Sequence, residues 1–222
     1  MANTSWNSSG VIDALPFDID GNPTTAFSLD ERKRIIDIWL RVSEDFAAFD
    51  VNVTTEDVAS EDILIKNSSS DDIFGTRVII TPTNEWYGTG AGGVAYINSI
   101  TWGDSTPCWV FADLLGNHPK YLAEASSHGS GYTLGLRHQS SYDGNGNLSA
   151  TYNLGAGAGD FGWAPIMGNS YYKRNTLWHD GPDSYGPNSN QYDLSLRQLI
   201  SFMLLMMPPI QYLLSASPKF VL

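Results

Sequence analysis

Two histidines ten positions apart are the residues of this chain whose types and spacing suit metal chemistry. His128 and His138 stand on either side of Gly135, and Tyr132 comes four positions after His128. Residues four positions apart share one face of an α-helix, so we predict that the side chains of His128 and Tyr132 point the same way. Imidazole nitrogens are common metal ligands, whereas a tyrosine binds as its phenolate, which its ordinary pKa of about 10 disfavours. The segment therefore predicts a metal site in which Tyr132 is the weakest member.

The spacing is that of the zinc-protease motif H-E-x-x-H-x-x-G-x-x-H, in which three histidines hold zinc and the glutamate is the general base. His128, Gly135 and His138 keep their places in it. Gly129 stands in the place of the glutamate, and Tyr132 stands in the place of the second histidine. The chain thus keeps the frame of the site and lacks its base and one of its metal ligands.

Three further segments resemble one family. Residues 162–168, which include Met167, resemble the Met-turn that passes beneath the zinc site of metzincin peptidases. Residues 49–55 and 92–97 resemble segments of the secreted bacterial, reprolysin-like metallopeptidases of the same clan. From about residue 17 to about residue 178, the chain is therefore similar to zinc-dependent metallopeptidases of this kind.

The resemblance implies an α/β fold. The expected architecture is a metzincin-like sandwich of a mixed twisted sheet, with a backing helix and an active-site helix followed by the Met-turn. It also implies a zinc cofactor, peptide-bond hydrolysis by a zinc-activated water, a peptide or protein substrate, and secretion. The N-terminus has neither the basic start nor the apolar core of a signal peptide, so secretion is implied by the resemblance alone.

The two substituted positions predict that hydrolysis is absent or strongly reduced. General base catalysis contributes about 10²–10⁴-fold to a rate, and Gly129 offers no carboxylate for it. His128 and His138 either hold a metal or are hydrogen-bonded remnants in a cleft. Tyr132 is either a ligand or an aromatic ring that fills an empty metal pocket. We expect Gly129→Glu together with Tyr132→His to restore zinc binding and activity.

The resemblance also suggests where a peptide would bind. In metzincins an extended substrate adds to the edge strand above the cleft through backbone hydrogen bonds, which do not need the metal. The residues expected to form this strand are Val94, Ala95, Tyr96 and Ile97. Two functions are therefore open, namely an impaired zinc metallopeptidase and a non-enzymatic peptide- or surface-binding module that reuses the cleft.

Composition and length limit the classes of binding partner and the number of domains that we expect. The 24 acidic and 12 basic residues give a formal net charge of −12, which argues against nucleic acids and anionic membranes as partners. The length of 222 residues suits one domain, and we expect a monomer. We expect a loop-rich segment over residues 1–27, the metzincin-like domain over 28–193 and an apolar segment over 194–222.

Within the apolar segment, residues 194–207 are shorter than the ~18 residues of a membrane span and include Arg197. We therefore predict a packed helix here that the domain core does not require.

Local patterns predict the elements that position these residues. Ser28 and Glu31 form a capping box ahead of an amphipathic helix that reaches about residue 47. Pro119 supplies a start signal for a second helix, which carries the motif and continues through Thr133. Strands are predicted over residues 50–55, 76–81, 94–97 and 108–112.

Three weaker signals remain. Glu124 comes one turn before His128, where we expect it either to support a ligand or to lie on the helix surface. Residues 18–22 resemble the start of a calcium loop, and residues 142–147 form another acidic loop that would suit calcium. An Asx-rich turn is the alternative for residues 18–22, and a plain loop is the alternative for residues 142–147. Cys108 is interpreted as a buried strand residue, and as the single cysteine it forms no intrachain disulfide.

Overall fold

The computed structural model describes residues 4–7, 10–22, 26–88, 90–198 and 203–206. Over these residues the chain forms a mixed α/β fold with two α-helices, one five-stranded sheet and three two-stranded sheets. The α/β prediction is confirmed at this level. No helix in the described part is both long and apolar enough to cross a membrane.

Helix α1, Leu29–Asp45, begins at the predicted capping box. The Glu31 amide donates to Ser28 Oγ at 3.3 Å, and the Ser28 amide donates to Glu31 Oε2 at 2.7 Å. Two backbone donors at the start of the helix are thereby satisfied, which stabilises it. Its apolar side chains recur at helical spacing, so Ile35, Ile38 and Val42 are buried on one face.

Eleven strands follow in chain order. They are β1 Val53–Thr54, β2 Thr76–Thr81, β3 Gly93–Val94, β4 Cys108–Phe111, β5 Ser141–Tyr142, β6 Leu148–Ala150, β7 Trp163–Pro165, β8 Asn175–Leu177, β9 Asp180–Pro182, β10 Asn190–Tyr192 and β11 Met203–Met206. The main sheet has the order β1-β11-β2-β4-β3. All its neighbours are parallel except β3, which is antiparallel to β4 and lies at the edge.

Side chains of the main sheet alternate between its two faces, and both faces carry buried residues. Val78 and Ile80 of β2 and Val110 of β4 face the core that contains α1 and the second helix, α2, Pro119–Thr133. The opposite face presents a smaller cluster of buried residues, namely Ile12, Ile79, Trp109 and Phe111. The loop-rich N-terminal segment therefore belongs to the fold, since Ile12 packs on this second face and Phe17 is buried in the helical core.

The predicted edge strand over residues 94–97 is too long. Only Val94 of the four lies in β3, and Ile97 already belongs to a turn. The chain turns here because Asn98 adopts a left-handed conformation, with φ of 64°, and its amide donates to the Tyr132 carbonyl at 2.8 Å. This bond ties the end of the edge segment to the C-terminal end of α2.

The apolar C-terminal segment also differs from its prediction. Residues Asp193–Gln198 form a 3₁₀-helix, Leu196 is buried in the core, and β11 lies between β1 and β2. The predicted helix is therefore wrong for Met203–Met206; residues 199–202 and 207–222 lie outside the described part. Because β11 pairs with two strands, we now expect the core to depend on this segment.

Candidate active-site cleft

His128 projects from α2 and is oriented by the loop that contains the predicted Met-turn. The Nδ1 of His128 lies 2.7 Å from the carbonyl oxygen of Ile166. A carbonyl can only accept, so Nδ1 carries the hydrogen and the lone pair lies on Nε2. A backbone bond of this kind fixes the tautomer and the ring orientation of a metal-binding histidine.

Met167, the methionine of the predicted Met-turn, packs against α2. It is fully buried, and a Cβ atom at Gly131 would collide with its sulfur. Its carbonyl accepts from the Gln139 amide at 2.8 Å, immediately after His138. The close approach that Gly131 allows therefore lets one loop support both the helix and the segment that carries His138.

The structure brings the three motif side chains together. The ring centroids of His128 and His138 are 5.6 Å apart, and Tyr132 lies 4.8 Å from the first and 5.2 Å from the second. Tyr152 completes the cluster at 3.9 Å from the His138 ring. No local pattern pointed to Tyr152, because its place depends on the neighbouring Asn153, whose amide donates to the Gln139 carbonyl.

Burial keeps both imidazoles neutral. It lowers the pKa of His128 to about 4, although the bond to Ile166 acts in the opposite direction, and it lowers the pKa of His138 to about 4 as well. Burial raises the pKa of Tyr152, so its phenol stays protonated. At neutral pH the cluster consists of two uncharged imidazoles beside two tyrosines.

These residues do not fit a catalytic zinc ion. Such an ion takes three protein ligands and a water, with a carboxylate beside the first histidine as base. Within the described residues, the one close group of three His, Cys, Asp or Glu side chains is Asp18, Asp20 and Glu31, away from the motif. Of the motif ligands, only His128 and His138 carry an imidazole.

The packing around Gly129 leaves no room for a side chain. A Cβ atom added at Gly129 would collide with the sulfur of Cys108, which is fully buried in β4. Burial raises the pKa of the Cys108 thiol to about 12, so this cysteine is a packed thiol and not a nucleophile. Cys108 is a buried strand residue, as predicted. Its contact with Gly129 was not predicted, because the two residues are far apart in sequence. A glutamate at position 129 therefore needs space that Cys108 now occupies.

Glu124 is buried, which excludes the helix-surface alternative. Its side chain is 7% exposed, and its Oε1 accepts from Lys120 Nζ at 2.6 Å. Asp45 at the end of α1 lies close by and accepts from Ser127 Oγ at 2.6 Å. Burial, and next the charge of Glu124, raise the pKa of Asp45 to about 7. A second carboxyl group therefore lies near the Lys120–Glu124 pair behind the cleft, a cluster that the sequence did not reveal.

Two adjoining cavities run beside β3. The smaller cavity, of about 260 Å³, is lined by residues 91–95 at and before β3, by α2 and by the loop after Met167. Its lining includes His128 and Gly129. The larger, of about 500 Å³, includes His138, Arg137 and Tyr96. The residues that line both are Gly93, Val94, Ala95, Tyr132 and Tyr152. A cleft therefore follows the edge segment on both sides of the tyrosine pair.

The outer edge of β3 faces this cleft. No strand of the described part pairs with that edge, since β3 ends the sheet order. The Phe111 amide donates to the Gly92 carbonyl at 2.9 Å, and Val94 pairs with Trp109. Because antiparallel bonding alternates along a strand, the backbone groups of Gly93 and Ala95 point away from β4. Tyr96, although outside the strand, is stacked on Trp6 with a centroid distance of 4.1 Å.

The two acidic loops form Asx turns. Asp18 Oδ1 accepts from the amides of Asp20, Gly21 and Asn22 at 2.9–3.2 Å. Asp143 Oδ1 accepts from the amides of Asn145 and Asn147 at 2.9 and 2.8 Å. Turn geometry thus accounts for the acidic residues of both loops, while Asp18 and Asp20 also lie with Glu31 in a group that could hold a metal ion.

Comparison of the chain with protein-family models, with curated proteins and with the solved structures finds no match in any of the three. What can be said of its function therefore depends on the cleft itself.

Proposed function

We propose that this chain is a metzincin-like domain that has lost peptide-bond hydrolysis and keeps its cleft as a binding site for an extended peptide. The observation that carries the proposal is the contact of Gly129 with Cys108, beside an edge strand whose outer side is open. The position that would hold the base is built for a glycine, while the groups that would hold a peptide backbone are in place. The resemblance that suggests this function also suggests that the protein is secreted.

The mixed sheet, the two helices and the loop beneath α2 support the metzincin-like part of the proposal. Ile166 orients His128, and Met167 lies against Gly131, which is how a Met-turn would support the motif. Hydrolysis is not expected because Gly129 supplies no carboxylate and Tyr132 replaces an imidazole. Loss of the base alone is expected to cost about 10²–10⁴-fold.

The edge of β3 supports peptide binding. An extended peptide placed beside β3 would bond to the outward backbone groups of Gly93 and Ala95, as in strand addition to other open sheet edges. The side chains that alternate toward the protein would enter the two cavities. None of these contacts needs a metal ion, so loss of the zinc site leaves the binding surface intact.

The test is binding of fluorescein-labelled, extended peptides from a random library, measured by fluorescence polarisation with and without EDTA. We expect binding that EDTA does not change, and no cleavage by mass spectrometry. N-methylation of a peptide amide that faces β3 should abolish binding, whereas methylation of the next amide along should not. Cleavage that EDTA stops would overturn the proposal, as would binding that is indifferent to both methyl groups.

A second candidate function, an impaired zinc peptidase, is favoured by one observation. The lone pair of His128 Nε2 is available, and both motif histidines are neutral. Elemental analysis of the purified protein after incubation with zinc decides between the two. One zinc ion per chain would favour the impaired peptidase, and a metal-free protein that still binds peptide would favour the binding module.

A further inference from the structure

The smaller cavity has an unusual chemical lining. Among its lining residues, Glu124 is the only Asp, Glu, Lys or Arg. The others are residues 91–95 at and before β3, Ala125, His128 and Gly129 of α2, the aromatic rings of Tyr132, Tyr152 and Tyr171, and residues 168–170, which follow Met167. A volume of about 260 Å³ lies just below the usual range for whole small-molecule sites, so it suits one side chain of a longer ligand.

Two buried acceptors in this lining have no hydrogen-bond partner within the described residues. They are Oε2 of Glu124 and the side-chain oxygen of Asn169. The first belongs to a side chain that is 7% exposed. A buried acceptor without a donor is costly, and a buried charged acceptor is more so, which means that these two atoms favour a ligand that brings donors.

The surroundings specify the charge of that donor. Lys120 engages only Oε1 of Glu124, and its ammonium also donates to the Ser170 carbonyl at 3.1 Å. Asp45 adds a second carboxyl group close to Glu124. Lys120 thus leaves Oε2 of Glu124 without a donor, and a buried carboxylate oxygen favours a donor that carries positive charge.

On this basis, and resting on the proposed function, we propose that the smaller cavity holds the ammonium group of a lysine side chain from the bound peptide. An arginine fork is best matched by two free oxygens of one carboxylate, but Oε1 of Glu124 is occupied by Lys120. An ammonium is a point charge with three donors, which matches the single free oxygen of Glu124 together with the amide oxygen of Asn169. The cleft thus binds extended peptides with a lysine at one fixed position.

The test compares two acetylated and amidated alanine-based heptapeptides, one with a central lysine and one with norleucine in its place. Norleucine keeps the apolar length of the side chain and removes the charge. We expect the lysine peptide to bind at least about tenfold more tightly to the wild-type chain, as a charge-assisted hydrogen bond in a buried site would provide. Raising the salt concentration should weaken this preference only slightly, because buried charges are poorly screened.

Variants show which residues cause the preference for the lysine peptide. Glu124→Gln should reduce it to below about twofold, while Glu85→Gln, the same change at an exposed position, should leave it unchanged. Asn169→Leu should reduce the lysine preference in part. This variant tests the inference if Glu124→Gln does not fold. Equal binding of the two peptides to the wild-type chain would overturn this inference and leave the proposed function intact. Binding of neither peptide nor of any library member would overturn both.

Discussion

The two sides of helix α2 differ in what packs against them. On the side of the loop beneath it, two close contacts hold the helix: Ile166 orients His128, and Met167 packs on Gly131. On the cleft side, Gly129 and Tyr132 stand where the proposed family has its base and second ligand, and Cys108 occupies the space beside the glycine. Support and reactivity are therefore separable, because support is a matter of core packing while reactivity depends on single functional groups.

The largest expected effect tests how far the support extends. A chain that ends at Asp193 lacks Leu196 and β11, so β1 and β2 lose the strand between them. We expect this chain to lose its cooperative thermal transition, measured by circular dichroism. A chain that ends at Met207 retains β11 and is the control. A transition of unchanged midpoint in the shorter chain would show that β11 is not part of the core that supports the cleft.

The next test restores the reacting positions. Gly129→Glu with Tyr132→His is expected to fail on its own because Cys108 obstructs the new side chain. Adding Cys108→Ala should yield stoichiometric zinc by elemental analysis and peptidase activity at least about 10²-fold above the double variant. The Cys108→Ala change alone should stay inactive. Equal activity of the double and triple variants would show that the packing around Gly129 adapts without help.

A third test removes the support and leaves the cleft residues in place. Met167→Ala deletes a fully buried side chain beneath α2, and we expect it to lower the free energy of unfolding by about 2–5 kcal/mol in urea titrations. Leu148→Ala, at an exposed position, should change it by less than about 0.5 kcal/mol. A Met167→Ala protein as stable as the wild type would contradict the supporting role of the loop.

The smallest expected effect concerns the acidic cluster behind the cleft. The folded pKa of Asp45, about 7, lies above its ordinary value of 3.8. The stability that comes from its neutral form is fully present below about pH 4 and is lost as the pH rises through about 7. Asp45→Asn should therefore remove part of the decline in stability over this range, on the order of 2 kcal/mol.

Urea titrations at several pH values measure this decline. Burial also raises the pKa of Asp193, to about 6, so its contribution to stability falls with rising pH in the same way. Asp193 should therefore account for the slope of stability against pH that remains in the Asp45→Asn variant. The exposed Asp30→Asn, on the same helix as Asp45, is the matched control. An Asp45→Asn profile that parallels the wild type would show that the carboxyl group is not held in its neutral form.

The sequence alone determined the elements that depend on neighbours along the chain. The capping box and the apolar spacing predicted α1, Pro119 predicted the start of α2, and the runs of β-branched and aromatic residues predicted β2 and β4. The common face of His128 and Tyr132 also followed from helix periodicity, and the structure places both rings in one cluster. Such patterns are readable because the interactions that produce them act within a few residues.

Only the tertiary structure decided what fills the space around those elements. The contact of Cys108 with Gly129, the position of Tyr152 beside His138, and the place of β11 between two early strands all join residues that are distant in sequence. Likewise, Glu124 has the same spacing whether it faces solvent or a buried lysine and a second carboxyl group. Spacing along a chain determines which face of an element a side chain occupies, but the chemistry of that side chain depends on what the rest of the fold packs against it.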